Sequence, residues 1–161
     1  MIMIKRCLLT LLFMLVASFA CADQGFSFKD TAGKQHKLAD YKGKWVLVNY
    51  WATWCPPCLE EIPDMVSIYD QRKDKDIMVI GVVIDYQDTK KVAKFVDDML
   101  MSYPIVQGDD KVIAQIGAAE VLPTTYIFNP QGKLVVTRHG LITRQYIEKL
   151  TAAVGATPSS R

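Results

Sequence analysis

The segment VLVNYWATWCPPCLEEIP, residues 46–63, joins an apolar run to the start of an amphipathic helix. The apolar run, residues 45–51, is rich in Val and aromatic side chains and is typical of a strand buried on both faces of a parallel sheet. Over residues 56–72 the apolar positions recur with helical spacing. We therefore predict a strand, a turn and a helix, with Cys55 and Cys58 at the turn.

The rest of the chain continues this alternation of strands and helices. Residues 77–84 form a second apolar run rich in Val and Ile, which completes a strand–helix–strand unit. Further patterns predict helices at 89–101, 111–116 and 143–154, a strand hairpin at 124–128 and 133–137, and a small N-terminal hairpin at 26–28 and 34–38. This order predicts an α/β domain whose mixed central sheet has helices on both faces and an N-terminal β-hairpin extension.

The N-terminus has the pattern of a secretory signal peptide. Two basic residues precede an apolar run at residues 7–20, which is shorter than the roughly 20 residues of a membrane-spanning helix. Small residues flank Cys21 and suit cleavage nearby. Anchoring through an uncleaved signal or a lipidated Cys21 is the alternative. We predict a signal peptide at 1–22, a folded domain at 23–155 and a flexible C-terminal tail at 156–161.

Removal of residues 1–22 changes the charge and the cysteine content. The whole chain has 19 Lys and Arg against 17 Asp and Glu, and two of the basic residues lie in the removed segment. The remaining domain is formally neutral, which does not favour nucleic acid as a partner. Cys55 and Cys58 are its only cysteines, and a bridge that closes so short a loop stabilises a fold little. The pair is therefore predicted to be redox-active rather than structural.

Disulfide exchange needs an attacking thiolate and a second thiol that resolves the mixed disulfide. Cys55 and Cys58 lie one helical turn apart, which brings both sulfurs together. Cys55 is predicted to attack, because the positive end of the helix dipole stabilises a thiolate at the helix start. Cys58 is then the resolving thiol. Pro56 suits the first helical position, and Pro57 removes a further amide donor from the neighbourhood of the Cys55 sulfur.

Other uses of a cysteine pair remain open. A zinc site needs two more ligands, and His36 and His139 are the only histidines. Haem attachment needs a histidine directly after the second cysteine, where Leu59 stands. A Cu(I) metallochaperone would use the same two thiolates, which suit a soft ion, and a peroxidase would need a motif that the first strand–helix turn lacks. We expect no metal and no cofactor beyond the Cys55–Cys58 disulfide.

Two blocks of sequence resemble a known family. Residues 46–63 resemble the active-site block of the TlpA-like (ResA/CcmG-type) branch of the thioredoxin superfamily. The segment VLPTTYIFNPQGKLV, residues 121–135, resembles the cis-proline strand and hairpin of that branch. Together with the order of elements, the resemblance covers residues 26–154. It implies a thioredoxin-like fold and a protein disulfide oxidoreductase.

The resemblance also implies roles for single residues. Pro123 matches the cis-proline that lies beside the cysteines, and Pro63 matches a proline that kinks the first helix. Trp51 is expected in the core, while Trp54 would shield Cys55 from water. The residues expected to line a substrate groove are Trp54, Pro56, Pro57, Leu122, Pro123 and Thr124.

Asn49 departs from the pattern of many thioredoxins, which have a buried Asp near the resolving thiol at this point of the strand. An amide cannot take a proton, so another group or a water must. Glu61, Glu120 and Asp85 are the candidates by position, although acids there are expected at the surface or in turns. The resemblance implies that His139 lies at the edge of the groove, but a lone surface histidine without a role in the site is the preferred interpretation.

The export signal and the resemblance together imply a thiol–disulfide oxidoreductase in the periplasm or on the outer face of a membrane. The implied partners are protein dithiol or disulfide substrates, such as apocytochrome c during cytochrome c maturation or the cysteines of copper-site proteins. The chain would act as a reductant, and an upstream thiol electron donor in the membrane would reduce its Cys55–Cys58 disulfide again after each reaction. We expect a monomer without nucleic-acid partners.

Overall fold

A computed structural model describes residues 25–84 and 88–155. Its strands are β1 (Ser27–Lys29), β2 (Gln35–Lys37), β3 (Trp45–Trp51), β4 (Ile77–Val83), β5 (Ile105–Gln107), β6 (Thr124–Phe128) and β7 (Leu134–His139). Its α-helices are α1 (Pro56–Arg72), α2 (Thr89–Asp98), α3 (Asp110–Ile116) and α4 (Arg144–Gly155), and a 3-10 helix spans Leu38–Tyr41. Within these ranges, no helix is long and apolar enough to cross a membrane. The predicted signal peptide, the lipidation site at Cys21 and the C-terminal tail lie outside the described residues.

The centre of the fold is a five-stranded sheet with the strand order β5-β4-β3-β6-β7. β3 pairs in parallel with β4, and β4 with β5, because each connection between them crosses over the sheet through a helix. β6 pairs antiparallel with both β3 and β7. β1 and β2 form a separate antiparallel pair. The predicted mixed sheet and N-terminal hairpin are confirmed.

Both faces of β3 and β4 are buried, as their continuous apolar sequences predict. On one face, Leu47 and Trp51 of β3 pack with residues of α1, α2 and α4, and the two cysteines join this cluster. On the other face, Val46, Val48 and Tyr50 pack with α3 and the N-terminal hairpin. The helices therefore lie on both faces of the sheet, as predicted.

Several boundaries differ from the sequence-based prediction. α2 ends at Asp98 rather than at residue 101, and Leu100 takes a left-handed backbone conformation (φ 52°) although the apolar pattern continues. β7 continues to His139, two residues beyond its predicted end. β5 and the 3-10 helix are not predicted at all, because runs of three or four residues carry too little periodicity.

The N-terminal hairpin is held by a buried histidine. His36 in β2 is fully buried, its Nε2 lies 2.8 Å from Asp30 Oδ2, and its Nδ1 is hydrogen-bonded to the Tyr41 hydroxyl. Asp30 Oδ1 accepts hydrogen bonds from the backbone N–H groups of Ala32 and Lys34. Burial alone would raise the pKa of Asp30, but the bonds from His36 and Lys34 outweigh it, so the pKa of Asp30 is lowered. The ionised carboxylate therefore stabilises the hairpin.

Replacement of Asp30 with Ala should lower the free energy of unfolding at about pH 7 by roughly 1–3 kcal/mol, because it leaves a buried donor of His36 without a partner. The folded-state pKa of Asp30 lies below its unfolded value of about 3.9, so the ionised carboxylate stabilises the fold above that pH. This contribution is lost as the pH falls through the folded pKa. The difference between the two proteins should therefore narrow in acid, and urea unfolding at about pH 7 and about pH 3 measures both effects.

Asp40→Asn is the matched control, because Asp40 is exposed in the adjacent 3-10 helix. It should leave the free energy of unfolding within about 0.5 kcal/mol of the wild type. Equal losses from the two substitutions, or a loss that stays constant in acid, would contradict the role assigned to Asp30.

Candidate active site

The two cysteines lie where β3 leads into α1. Cys55 is the N-cap residue of α1, and Pro56 and Pro57 occupy the first two helical positions. Cys58 follows in the first turn and forms a disulfide with Cys55, with a Cα–Cα distance of 5.3 Å. Cys55 is 3% exposed and Cys58 is fully buried. The residue predicted to attack is therefore the more accessible of the two.

The helix start offers the Cys55 sulfur few backbone donors. An N-cap side chain ordinarily accepts a hydrogen bond from the second or third helical N–H. The second helical residue is Pro57, which has no N–H, and the N–H of Cys58 donates to the Cys55 carbonyl at 3.0 Å. The side chain of Cys55 accepts no capping hydrogen bond. The backbone geometry therefore agrees with the expectation that Pro57 withholds a donor.

The segment that precedes β6 packs against the apolar cluster that includes the cysteines. The Leu122–Pro123 peptide bond is cis, and Leu122 packs against the apolar cluster that contains both cysteines. Pro123 and Thr124 are buried, whereas Val121 is 53% exposed. Residues 121–124, hereafter the cis-proline segment, thus reach through Leu122 the same apolar cluster that includes the disulfide.

The remaining residues predicted for the groove surround the helix start. Trp54 is 63% exposed, Pro56 is exposed and Pro57 is half-buried. Trp51 lies in the core as expected and stacks on Phe95, with ring centroids 5.5 Å apart. An exposed indole next to Cys55 supplies apolar surface for a partner, but its contact with a substrate stays a prediction.

Glu61 is buried, which corrects the expectation of a surface or turn acid. It follows Cys58 by three residues on α1 and is 1% exposed, so the two side chains lie on one face of the helix, one turn apart. Glu61 Oε1 accepts a hydrogen bond from Asn49 Nδ2 at 2.6 Å, and Oε2 accepts one from the backbone N–H of Ile142 at 2.8 Å. Asn49 Nδ2 also donates to Thr125 Oγ1 at 3.1 Å.

Burial changes the acidity of this carboxyl group. Desolvation raises the pKa of Glu61 to about 7, although the hydrogen bonds from Ile142 and Asn49 favour the ionised form. Glu61 therefore takes up and releases a proton close to neutral pH, next to the resolving thiol. The sequence does carry a signal for this placement, because Glu61 shares the buried stripe of α1 with Cys58, Ile62 and Met65.

The other predicted residues have simpler surroundings. Glu120 is exposed, and Asp85 lies outside the described residues. His139 is exposed at the end of β7, with its Nδ1 3.0 Å from Thr124 Oγ1. Pro63 lies inside α1. Residues 25–84 and 88–155 contain no group of three or more His, Cys, Asp or Glu side chains that could hold a metal ion.

Comparison with known proteins places this geometry in a family. A model of the AhpC/TSA family matches residues 21–137. The thiol-disulfide oxidoreductase ResA of Bacillus subtilis (strain 168) is 34% identical over 122 residues, which are 76% of this chain and 68% of the relative. ResA of Bacillus thuringiensis (strain Al Hakam) is 34% identical over 131 residues, 78% of this chain and 75% of the relative.

Two solved structures have the same fold. The thiol:disulfide interchange protein of the thioredoxin family from Chlorobium tepidum TLS superposes with a TM-score of 0.72 at 24% identity, over 80% of this chain and 92% of that protein. The exposed lipoprotein thioredoxin Etrx1 from Streptococcus pneumoniae strain TIGR4 superposes with a TM-score of 0.68 at 27% identity, over 80% of this chain and 98% of that protein. The chain therefore belongs to the AhpC/TSA family and, within the thioredoxin superfamily, to the TlpA-like (ResA/CcmG-type) branch, as a protein disulfide oxidoreductase.

Proposed function

We propose that this oxidoreductase reduces disulfides of protein substrates outside the cytoplasm. The observation that carries the proposal is the Cys55–Cys58 pair at the start of α1, with the buried carboxyl group of Glu61 one turn further along the helix. The pair supplies two electrons and the carboxyl group accepts a proton. Both are required for a dithiol to reduce a disulfide.

The reaction runs through one mixed disulfide. The Cys55 thiolate attacks a sulfur of the substrate disulfide, which forms a Cys55–substrate bond and releases the first substrate thiolate. The Cys58 thiol then transfers its proton to Glu61, and its thiolate attacks the Cys55 sulfur. The Cys55–Cys58 disulfide forms, and the second substrate sulfur leaves as a thiolate. Two electrons pass from the cysteine pair to the substrate, and a thiol donor must return two electrons for the next cycle.

The surroundings of Cys55 support the reducing direction. Pro57 has no N–H and the N–H of Cys58 is used by the backbone, so a Cys55 thiolate receives less stabilisation than a helix start ordinarily provides. A less stable thiolate raises the free energy of the reduced pair relative to the disulfide. The pair therefore gives up its electrons more readily.

Asn49 lets Glu61 carry a proton without loss of hydrogen bonds. When Glu61 is ionised, Asn49 Nδ2 donates to it and to Thr125 Oγ1. When Glu61 is protonated, rotation of the Asn49 amide by half a turn places the amide oxygen at the former position of Nδ2. There the oxygen accepts from the hydroxyl of the protonated Glu61 carboxyl group and from the hydroxyl of Thr125. The amide that departs from the thioredoxin pattern thus adapts to both states of the acid beside it.

The predicted signal peptide supports a location outside the cytoplasm, and one relative of known structure is described as an exposed lipoprotein. Protein disulfides persist in such a compartment. Suitable substrates there are apocytochrome c and the cysteines of copper-site proteins, and the electrons would come from a membrane thiol donor. A lipidated Cys21 or an uncleaved signal would keep the domain close to that donor.

A Cys58→Ser variant should accumulate mixed disulfides between Cys55 and its protein substrates, because no second thiol resolves them. Non-reducing electrophoresis and mass spectrometry of extracts from cells that export the variant identify the partners. Cys55→Ser is the control and should trap none. A variant that traps no protein, together with tight Cu(I) binding by the reduced wild type, would favour the metallochaperone instead.

Replacement of Glu61 with Gln should slow the resolving step about hundredfold at about pH 8, because Gln cannot accept the proton of Cys58. The difference in rate between the variant and the wild type should become smaller toward about pH 5, where Glu61 of the wild type is itself protonated. Rapid-mixing measurements of single turnovers against a protein disulfide give these rates.

The same Glu61→Gln variant should be more stable than the wild type at about pH 8. The folded-state pKa of Glu61 is above its unfolded value of about 4.3, so ionisation destabilises the fold as the pH rises from that value to about 7. Because Gln does not ionise, the free energy of unfolding of the variant should exceed that of the wild type by roughly 2–4 kcal/mol at this pH. The difference should disappear at about pH 4. Glu60→Gln is the matched control, because Glu60 is exposed. It should change neither the rate of the resolving step nor the free energy of unfolding. A full rate at about pH 8 in Glu61→Gln would show that Glu61 is not the proton acceptor.

Replacement of Pro57 with His should make the protein more oxidising. The change adds an N–H and a possible positive charge beside Cys55, and a charge-assisted hydrogen bond of about 1.5–3 kcal/mol stabilises the reduced form and raises the potential by roughly 30–60 mV. A glutathione redox titration measures the shift. Pro57→Ala adds only the amide and should give a smaller increase. An unchanged or lower potential in Pro57→His, with the fold intact, would contradict the role assigned to the two prolines.

A further inference from the structure

The end of β7 is bonded to the cis-proline segment at two points. His139, the last residue of β7, pairs with Thr124, the first residue of β6. His139 Nδ1 lies 3.0 Å from Thr124 Oγ1, and Thr124 Oγ1 lies 2.6 Å from the carbonyl oxygen of Val121. The N–H of Gly140 donates to the carbonyl of Pro123 at 2.8 Å. Residues 139 and 140 therefore contact the segment at Thr124 and Pro123, and Thr124 extends this connection to Val121.

The direction of these hydrogen bonds follows from the groups involved. A backbone carbonyl only accepts, so the single hydroxyl proton of Thr124 is donated to Val121. Thr124 Oγ1 must then accept from His139, which requires a proton on Nδ1. The neutral ring therefore has its proton on Nδ1 and a free lone pair on Nε2. Because an imidazolium also carries a proton on Nδ1, the bond to Thr124 is present in both charge states.

The cis-proline segment has little regular structure of its own to fix its shape. Residues 117–123, between α3 and β6, are neither helix nor strand. The start of this connection is held by the hydroxyl groups of Tyr50 and Tyr126, which donate to the carbonyls of Gly117 at 3.1 Å and Ala118 at 2.6 Å. Its other end depends on the contacts from His139 and Gly140. Leu122, between these points, packs against the cluster that contains the cysteines.

We propose that His139 is a positioning residue for substrate binding. Its Nδ1–H fixes the Thr124 hydroxyl, which in turn fixes the carbonyl of Val121, so that the cis-proline segment keeps one shape. The proposal rests on the proposed function, in which a protein substrate lies along this segment. His139 acts through Thr124 and takes no part in the thiol chemistry. No bound molecule or metal is needed for this role.

Two isosteric substitutions separate the two nitrogens of the ring. In His139→Asn, the side-chain amide nitrogen occupies the place of Nδ1 and keeps a donor for Thr124. In His139→Gln, the amide reaches the place of Nε2 and the donor at Nδ1 is lost.

The measurement is kcat and KM for the reduction of insulin disulfides by the full domain, with dithiothreitol as the electron donor.

We expect His139→Gln and His139→Ala to raise KM for insulin about tenfold, the effect of one lost hydrogen bond, while kcat changes less than about twofold. His139→Asn should stay within about twofold of the wild type in both constants. Thr137→Ala is the matched control, since Thr137 is exposed on the same strand, two residues before His139, and it should leave KM unchanged.

Each other outcome overturns the proposal. Equal increases in KM for His139→Asn and His139→Gln would assign the effect to Nε2 and to direct contact with the substrate. A fall in kcat without a rise in KM would place His139 in the chemistry, and an unchanged KM in every variant would make the chain of hydrogen bonds purely structural. Failure of the proposed function is distinct, because the wild type would then reduce small disulfides but not insulin.

Discussion

One buried carboxylate connects three parts of the chain that are far apart in sequence. Glu61 on α1 is bonded to Asn49 on β3 and to the backbone before α4 at Ile142. A carboxyl group in this position is costly, because burial raises its pKa to about 7 and weakens the fold whenever it ionises. An apolar side chain would fill the same stripe of α1 without that cost. This cost supports the role proposed for the acid as the proton acceptor of Cys58, one turn before it.

The two faces of the sheet have separate tasks. The face with α1, α2 and α4 contains the cysteines and Glu61. The face with α3 and the N-terminal hairpin contains none of these groups, and its buried His36 and Asp30 hold the hairpin. Changes in the hairpin can therefore alter stability without altering the redox chemistry. The cis-proline segment connects the two faces, because Leu122 packs on both clusters.

The sequence predicts the parts of this structure that depend on long, periodic or strongly constrained runs. The seven-residue strands β3 and β4 are apolar because both of their faces are buried, and α1 begins at Pro56 because proline suits a first helical position. Short elements such as β5 are fixed by tertiary pairing, which a local pattern does not contain. The sequence-based expectation for Glu61 is wrong, because it considers only the charge and assigns an acid to the surface. The helical position of Glu61, on the same buried stripe as Cys58, indicates the interior.

The helix start and the buried acid act on different cysteines of the pair. Two prolines after Cys55 reduce the number of donors that could stabilise its thiolate, and an ionised Glu61 disfavours a second negative charge on Cys58. The first effect raises the free energy of a reduced pair whose Cys55 is a thiolate, relative to the uncharged disulfide. The second keeps Cys58 in its thiol form until the resolving step. The protonated form of Glu61 exerts no such repulsion. In the proposed cycle, a pKa close to neutral suits the acid to accept the proton of Cys58 when the disulfide forms and then to lose it to solvent, so that the next cycle begins with an ionised acid.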